Sequence, residues 1–376
     1  MLRAVPEILA GSSEFRQRNA VLTLPERRII QSQMNRIKSR MVKPKFNHPV
    51  CVKGNVLLHS HLLRKTDSLS TNQKDDLRYM LHAADRLVEA MISVCQSSDL
   101  IHTAINCIDF QQRMTQALWV KDSPLLQLPH FSAENIKTCG KHKIKTIPQY
   151  RELSKKDRSF IDMTELEQED IEQYLKLFPD IKVSAKVFVD DEEDSKVYEG
   201  DTCIVRLVIT RINLRKGEKV GFVHSPFFPF PKEEALWVVL GQMNSGRIVS
   251  IEKLTSLDRV VCHDIKFVAP PVGHYKFDLF IKSNGYVGAD QQLSLDLETL
   301  DNARLPDYTV HPDDAELDNR PSLFEDIVNS MHIEPESDDE DNDDCMRFGT
   351  TKQKVSRREH LRSIRLVHDE DSDDGE

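Results

Sequence analysis

The chain has 376 residues, 39% of them hydrophobic and 30% charged, with a formal net charge of -10. A chain this long holds about two or three domains with their own cores, and a low apolar share beside high charge predicts an ordered body with a solvated appendage. No apolar run approaches the roughly 18 residues that span a bilayer, and the opening MLRAVPEILAGSSEF, with one arginine and a brief apolar patch broken by Pro6, makes a poor secretory signal.

From residue 26 to about 178 the hydrophobic period is helical. RRIIQSQMNRIKSRM and NVLLHSHLLRK predict short helices. In DDLRYMLHAADRLVEAMISVCQ, Leu77, Met80, Leu81, Ala84, Leu87, Val88, Met91 and Cys95 fall on one stripe, with Asp75 and Asp76 placed to favour the helix start. DLIHTAINCIDFQQRMTQALWV repeats the pattern with Leu100, Ala104, Ile108, Met114 and Leu118. Stripes this wide need partners, so residues 1–122 read as a helical bundle.

Residues 123–179 read as a helix-hairpin-helix unit. A short helix starts at Ser132 and stops at Gly140, a basic loop follows, and a second helix is capped by Thr146 with Pro148 in its first turn. LEQEDIEQYLKLF adds a third helix. From Asp180 the period becomes two. Ile181, Val183, Ala185, Val187 and Val189 share one face, and TCIVRLVITR, ALWVVLGQM, GRIVSIEKL, RVVCHDIKFVA, HYKFDLFIK and QQLSLDLETL continue the series. MNSGR and KSNGY read as tight turns between such runs. Residues 180–300 are thus expected to form a fibronectin type III or immunoglobulin-like β-sandwich, and the whole body an α+β fold. Beyond 300 both periods fade into like-charged blocks, so residues 301–376 are expected to be a disordered acidic tail. Leu323, Phe324, Ile327, Val328 and Met331 offer one amphipathic helical face within it.

Enzyme chemistry finds little support. The sequence has no phosphate-cradling glycine loop, no HExxH and no nucleophile elbow. His59 and His61 stand at i, i+2 and point to different helix faces. His48 with Cys51, and Cys139 with His142, each lack the second pair of a tetrahedral site. The expectation is a non-enzyme with no catalytic residue, cofactor or metal. Seven cysteines without close pairs point to a reducing compartment. The basic loop GKHKIKT is the one nucleic-acid-like feature, but the net acidic chain favours a solvated turn and no nucleic-acid partner.

Two features suit protein partners. HSPFFPFPKEE sets Phe227, Phe228 and Phe230 among prolines, so they lie on a loop or edge. They form either a contact patch or a plug for one end of the sandwich core. The second feature is acid. Glu334, Glu336, Asp338, Asp339, Glu340, Asp341, Asp343 and Asp344 form one block, and Asp369, Glu370, Asp371, Asp373 and Asp374 another. Such blocks attract a basic partner over about a Debye length, ~8 Å. Ser337 and Ser372 lie in acidic contexts favoured by kinases of the casein kinase type, and phosphate would add charge.

The order of parts resembles the Sec/Brl domain. VKGNVLLHSHLLR, SPLLQLPHF, HSPFFPFPKEEALWVVL and GHYKFDLFIKSNGYVGADQ are similar to segments of that domain in the endoplasmic-reticulum translocon J-protein family, over about residues 1–300. The acidic tail also favours that branch over the helicases that carry the same domain. The membrane spans and lumenal J-domain of that family are lacking from the chain as written. The tripeptide His311-Pro312-Asp313 follows a strand and precedes acid, so it reads as chance and not as a J-domain signature. The resemblance implies a noncatalytic module on the cytosolic face of the endoplasmic reticulum that supports protein import. Phe227, Phe228 and Phe230 would meet the protein-conducting channel, and the acidic blocks a Lys/Arg-rich translocon subunit. The alternative is a helicase-type Sec/Brl module that regulates an RNA-unwinding ATPase.

Overall fold

The computed structural model of the chain describes residues 2–18, 23–37, 48–154, 156–189 and 196–301. They belong to one unit that ends at Asp301. The acidic blocks, Ser337, Ser372, the tripeptide and the amphipathic stretch at 323–331 lie outside the described residues.

Nine α-helices and four short 3-10 helices precede eight strands among the described residues. The helices are α1 (Val5–Ala10), α2 (Ser13–Arg18), α3 (Leu24–Ile37), α4 (Pro49–Leu62), α5 (Thr71–Ser97), α6 (Ile101–Gln116), α7 (Ala133–Lys141), α8 (Ile147–Arg151) and α9 (Glu165–Leu177). The strands are β1 (Ile181–Val189), β2 (Val197–Tyr198), β3 (Thr202–Arg211), β4 (Leu236–Gln242), β5 (Arg247–Leu254), β6 (Val260–Val268), β7 (Gly273–Ser283) and β8 (Gln291–Leu300). The fold is mixed helix and sheet. Among the described residues no helix is long and apolar enough to cross a membrane.

The seven alternating runs are all strands and the helical stripes are helices, of which α3, α4 and α5 begin earlier than expected. Ser70 and Gln73 cap α5 reciprocally, with Gln73 N–H donating to Ser70 Oγ at 3.3 Å and Ser70 N–H donating to Gln73 Oε1 at 3.1 Å. Asp75 and Asp76 therefore sit more than a turn inside the helix. The first residues, which offered no clear period, form α1 and α2, and bury Val5, Leu9 and Phe15.

Three large clusters and a smaller one under α3 fill the interior. The bundle core joins Leu57, Met80, Val88, Ile108 and Trp119 to Trp237, Val239 and Ile251 of the sheet. The second core lies between a three-stranded sheet, ordered β1-β3-β6, and a five-stranded sheet, ordered β2-β8-β7-β4-β5. Strand β4 is buried on both sides. Leu236, Val238 and Leu240 face the inter-sheet core, while Trp237 and Val239 face the helices, which is why ALWVVL reads as a continuous apolar run. At its end Gly241 admits the bundle. A Cβ there would stand 2.6 Å from Ile101 Cδ1 and 2.5 Å from Arg247 O. The third core holds Leu125, Phe131, Cys139, Ile147, Tyr150 and Tyr174 of the hairpin unit with Val223, Tyr286 and Ala289 of the strand connections.

Two turn expectations are corrected. Helix α7 runs through Gly140 to Lys141, and the left-handed residue that ends it is Lys143, at φ 61°. Lys143 N–H donates to Gly140 O at 3.1 Å and Ile144 N–H to Cys139 O at 3.0 Å, the paired bonds of a Schellman motif. KSNGY is not a two-residue hairpin turn. β7 ends at Ser283 and β8 begins at Gln291, and the positive φ in the connection belongs to Gly288.

Candidate functional site

The segment from Ser283 to Asp290 is a joint. Three glutamines of α6 reach into it or beside it. Gln112 Nε2 donates to Ser283 O at 2.7 Å and to Asp290 Oδ1 at 2.8 Å. Gln116 Nε2 donates to Gly285 O at 2.7 Å and His224 O at 3.1 Å. Gln111 accepts from the Trp237 indole at 2.8 Å and donates to Asp85 at 2.8 Å. From the hairpin side, Gln127 exchanges two 2.9 Å bonds with the backbone of Val287. Asn284 bridges Ala235 N–H and Glu233 O. Gly285 allows Val223 within reach, since a Cβ there would stand 2.8 Å from it. These side chains are buried amides whose polar groups are paired, so each is costly to replace. SPLLQLPHF and SNGYVGADQ are thus brought together to fix the bundle, the hairpin unit and the sheets in one arrangement. Buried lysines add to the seam: Lys232 pairs with Asp85 at 2.5 Å, and Lys282 pairs with Asp109 at 2.9 Å and with Asp290.

The three phenylalanines lie along this seam, and Phe228 packs with the helices and not in the core between the two sheets. The Phe227 ring is exposed and carries the Arg64 guanidinium 4.1 Å from its centroid. Arg64, at the end of α4, donates in turn to Gln116 O, Ala117 O and Leu126 O. Phe228 packs against the bundle core and meets Phe230 edge-on at 6.2 Å. Phe230 meets His82 of α5 edge-on at 5.0 Å. Phe228→Ser is therefore expected to cost about 2 kcal/mol of stability, roughly half the value for a fully buried ring. Phe227→Ser should cost under about 1 kcal/mol, as for an exposed cation–π contact. Urea unfolding of the two variants checks the order, and equal losses would count against it.

The residues weighed as metal ligands are packed apart. His59 Nδ1 lies 2.8 Å from Asn55 O, and His61 Nε2 lies 2.7 Å from Met114 O. Burial pushes both imidazoles down to about 4. Cys139 is buried, and desolvation raises its thiol. Among the described residues no group of three or more His, Cys, Asp or Glu is placed to hold a metal.

The basic hairpin is the most ligand-like feature of the surface. Lys137, Lys141, His142, Lys143 and Lys145 are all exposed. None of the four lysines is ion-paired among the described residues. The loop is rigid. The Schellman bonds close it on one side, and on the other Gln149 N–H donates to Thr146 Oγ1 while Gln149 Oε1 accepts from Lys145 and Thr146 N–H. His142 stacks on Phe160 at 4.2 Å, and Ile144 and Ile147 anchor the base in the third core. A tethered row of unpaired ammonium groups suits phosphate contact. The Schellman turn that builds it was hidden in the sequence because lysine, not glycine, takes the left-handed position.

The family model described as Sec63 Brl domain matches residues 2–296. The chain belongs to the Sec63 Brl domain family. It is 31% identical over 306 residues to the U5 small nuclear ribonucleoprotein 200 kDa helicase of Drosophila melanogaster, which uses 80% of this chain and 14% of that protein. The human protein of the same name is 30% identical over 79% of this chain and 13% of its own length. The DExH-box ATP-dependent RNA helicase DExH12 of Arabidopsis thaliana is 29% identical, again over 79% and 13%. The chain thus spans about one seventh of the length of these relatives.

These relatives overturn the translocon reading. A role in protein import, a channel partner for Phe227, Phe228 and Phe230, a Lys/Arg-rich translocon subunit, the exclusion of nucleic acid and a place on the endoplasmic-reticulum face are all corrected. The relatives are named as helicases, one group of a small nuclear ribonucleoprotein and another of RNA. The physical reason for the error is plain in the seam. The segments that carried the resemblance are joints of the Sec63 Brl domain itself, so they report the domain and not its setting.

Proposed function

We propose that this Sec63 Brl chain is a noncatalytic accessory module of helicase type, which contacts nucleic acid through the hairpin at Lys141–Thr146 and supports an RNA-unwinding ATPase. The observation that carries this reading is the row of exposed, unpaired lysines on a hairpin whose backbone is closed on both sides. The alignment with helicases over residues that include this hairpin supports it. Its parts are read as a bundle at 1–122, a helix-hairpin-helix unit at 123–179 and a fibronectin type III-like sandwich at 180–300.

The test is fluorescence anisotropy of a labelled single-stranded RNA against the chain and its Lys141→Ala/Lys143→Ala/Lys145→Ala variant. Each lost phosphate contact should lower the salt slope of log K by about 0.7 for a single strand, so the triple variant should lose about 2. Weakening should be uniform across RNA sequences, because phosphate contacts carry no base information. An unchanged affinity and slope would leave the hairpin a solvated turn.

A further inference from the structure

The outer face of the three-stranded sheet carries a charge pattern that the seam, the hairpin and the core do not explain. Its rows follow from the strand register. Lys182 pairs across to Thr210 and Val260, Ser184 to Val208 and Cys262, Lys186 to Arg206 and Asp264, and Phe188 to Ile204 and Lys266. The alternate residues Val183, Ala185, Val205, Leu207 and Ile265 turn inward to the core, so the named rows face away from it. Lys182, Lys186, Arg206 and Lys266 are exposed there against a single acid, Asp264. Arg206 holds that acid with two nitrogens, at 2.9 and 2.7 Å, and stacks over Phe188 at 4.9 Å. Three lysines are left around a small apolar centre of the half-buried Val208 and the exposed Cys262, with Ile204 buried beneath it.

The other sheet has the opposite sign. On its solvent side Asp278, Asp296 and Glu298 oppose Lys276. In a chain of net charge -10, bases thus outnumber acids on this sheet face among the described residues. Mere solvation would not sort the two signs between sheets. Lysines do guard sheet edges against pairing, but edge defence does not call for an apolar centre between them.

We propose that this face binds a single strand of nucleic acid, with Lys182, Lys186 and Lys266 on phosphates and the apolar centre under bases. The dimensions agree. Lys182 and Lys186 stand four residues apart on one strand, about 13 Å, and β1 to β6 is two strand spacings, about 10 Å. A flat field of that size holds a short stretch of backbone with base faces laid on it. An acidic peptide would satisfy the lysines but would gain little from the apolar centre. The surface is separate from the hairpin, and its failure would leave the hairpin reading intact.

Cys262 lies at the centre of the face and serves as its reporter. The other cysteines among the described residues are buried, and Cys345 lies outside them, so the full chain carrying Cys345→Ser leaves one accessible described thiol. Its alkylation by N-ethylmaleimide is followed by intact mass while an oligouridylate of roughly 16 nucleotides, the upper range of single-fold site sizes, is titrated in. The expected result is severalfold slowing that saturates with RNA and weakens with salt. Lys182→Glu/Lys186→Glu/Lys266→Glu should abolish the protection, and the milder Lys→Gln set should lower its salt slope by about 2. The hairpin triple variant should keep it. Unprotected Cys262 at saturating RNA would overturn the proposal. So would protection by polyglutamate but not by RNA, which would assign the face to an acidic protein, and so would loss of protection in the hairpin variant alone.

Discussion

Arg211→Ala is expected to lower the unfolding free energy by about 3–5 kcal/mol, the range for removing one partner of a buried ion pair. Arg211 is 1% exposed and Glu234 is 3% exposed. The guanidinium donates to Glu234 Oε1 at 3.2 Å, to Asp258 O at 2.6 Å and to Ser256 O at 3.1 Å. It thereby ties the end of β3 to the β5–β6 turn and to the segment that leads into β4. Burial raises the Glu234 carboxyl despite the nearby guanidinium, so desolvation outweighs attraction for this carboxylate. The pair is therefore costly to break without being a source of net stability. Arg211→Met/Glu234→Leu should recover most of the loss, because no unpaired charge is left behind. Urea unfolding followed by tryptophan fluorescence measures all three chains. An Arg211→Ala chain within about 1 kcal/mol of the parent would mean that water reaches Glu234.

Hydrophobic period made the elements legible. Strands β1 and β3 to β8 and the long helices follow from alternation and from the 3.6-residue stripe, because burial on one face writes itself into the sequence. What period could not show was the packing between layers. The buried amides Gln111, Gln112, Gln116 and Gln127 read as ordinary polar residues, yet they join three cores. Their meaning depends on partners about 100 or more residues away, as with Gln112 and the Ser283 carbonyl or Gln111 and the Trp237 indole. Asn284-Gly285 has the composition of a tight turn, but tertiary contact to Val223 and Ala235 overrides that local preference.

Overall charge masks the basic hairpin. Net charge describes the whole chain, whereas a phosphate responds to charges within about a Debye length. Sixty-one acids against fifty-one bases say little about a loop that holds three lysines. Much of the acid lies beyond residue 301, outside the described residues. The same averaging hid the outer sheet face, where Lys182, Lys186 and Lys266 are scattered in sequence and only strand register gathers them. The outward rows became readable once β1, β3 and β6 were known to be neighbours.

Acidification between pH 6.5 and 4 is expected to remove several kcal/mol of stability through His59 and His61. Both imidazoles are buried and are pushed down to about 4 from the ordinary 6.5, chiefly by desolvation. His59 sits against the Trp119 ring, 5.0 Å between centroids, and its Nε2 has no hydrogen-bond partner. A proton there would place a charge in the bundle core, and desolvation outweighs the Asn55 carbonyl and Glu7 that favour it. His61 holds Met114 O, and the Arg64 guanidinium opposes its protonation further. The unfolded chain binds these protons first as pH falls. The stabilising contribution is thus whole above about 6.5 and drains toward the folded value near 4. At about 1.4 kcal/mol per pH unit, each site loses about 3 kcal/mol across that window, as an upper range. His224, also lowered by burial, adds in the same direction. The loss falls on α4 and the end of α6, beside Gln116 and Arg64, so the seam to the sheets should loosen before the inter-sheet core does. Urea unfolding at pH 7, 5.5 and 4.5 reads the free energy, and hydrogen exchange reads which amides open first. His61→Gln keeps a donor for Met114 O without a titrating group, and should flatten part of the acid limb. A parent chain equally stable at pH 7 and 4.5, or one whose inter-sheet strands open before α4 and α6, would refute the assignment to these histidines.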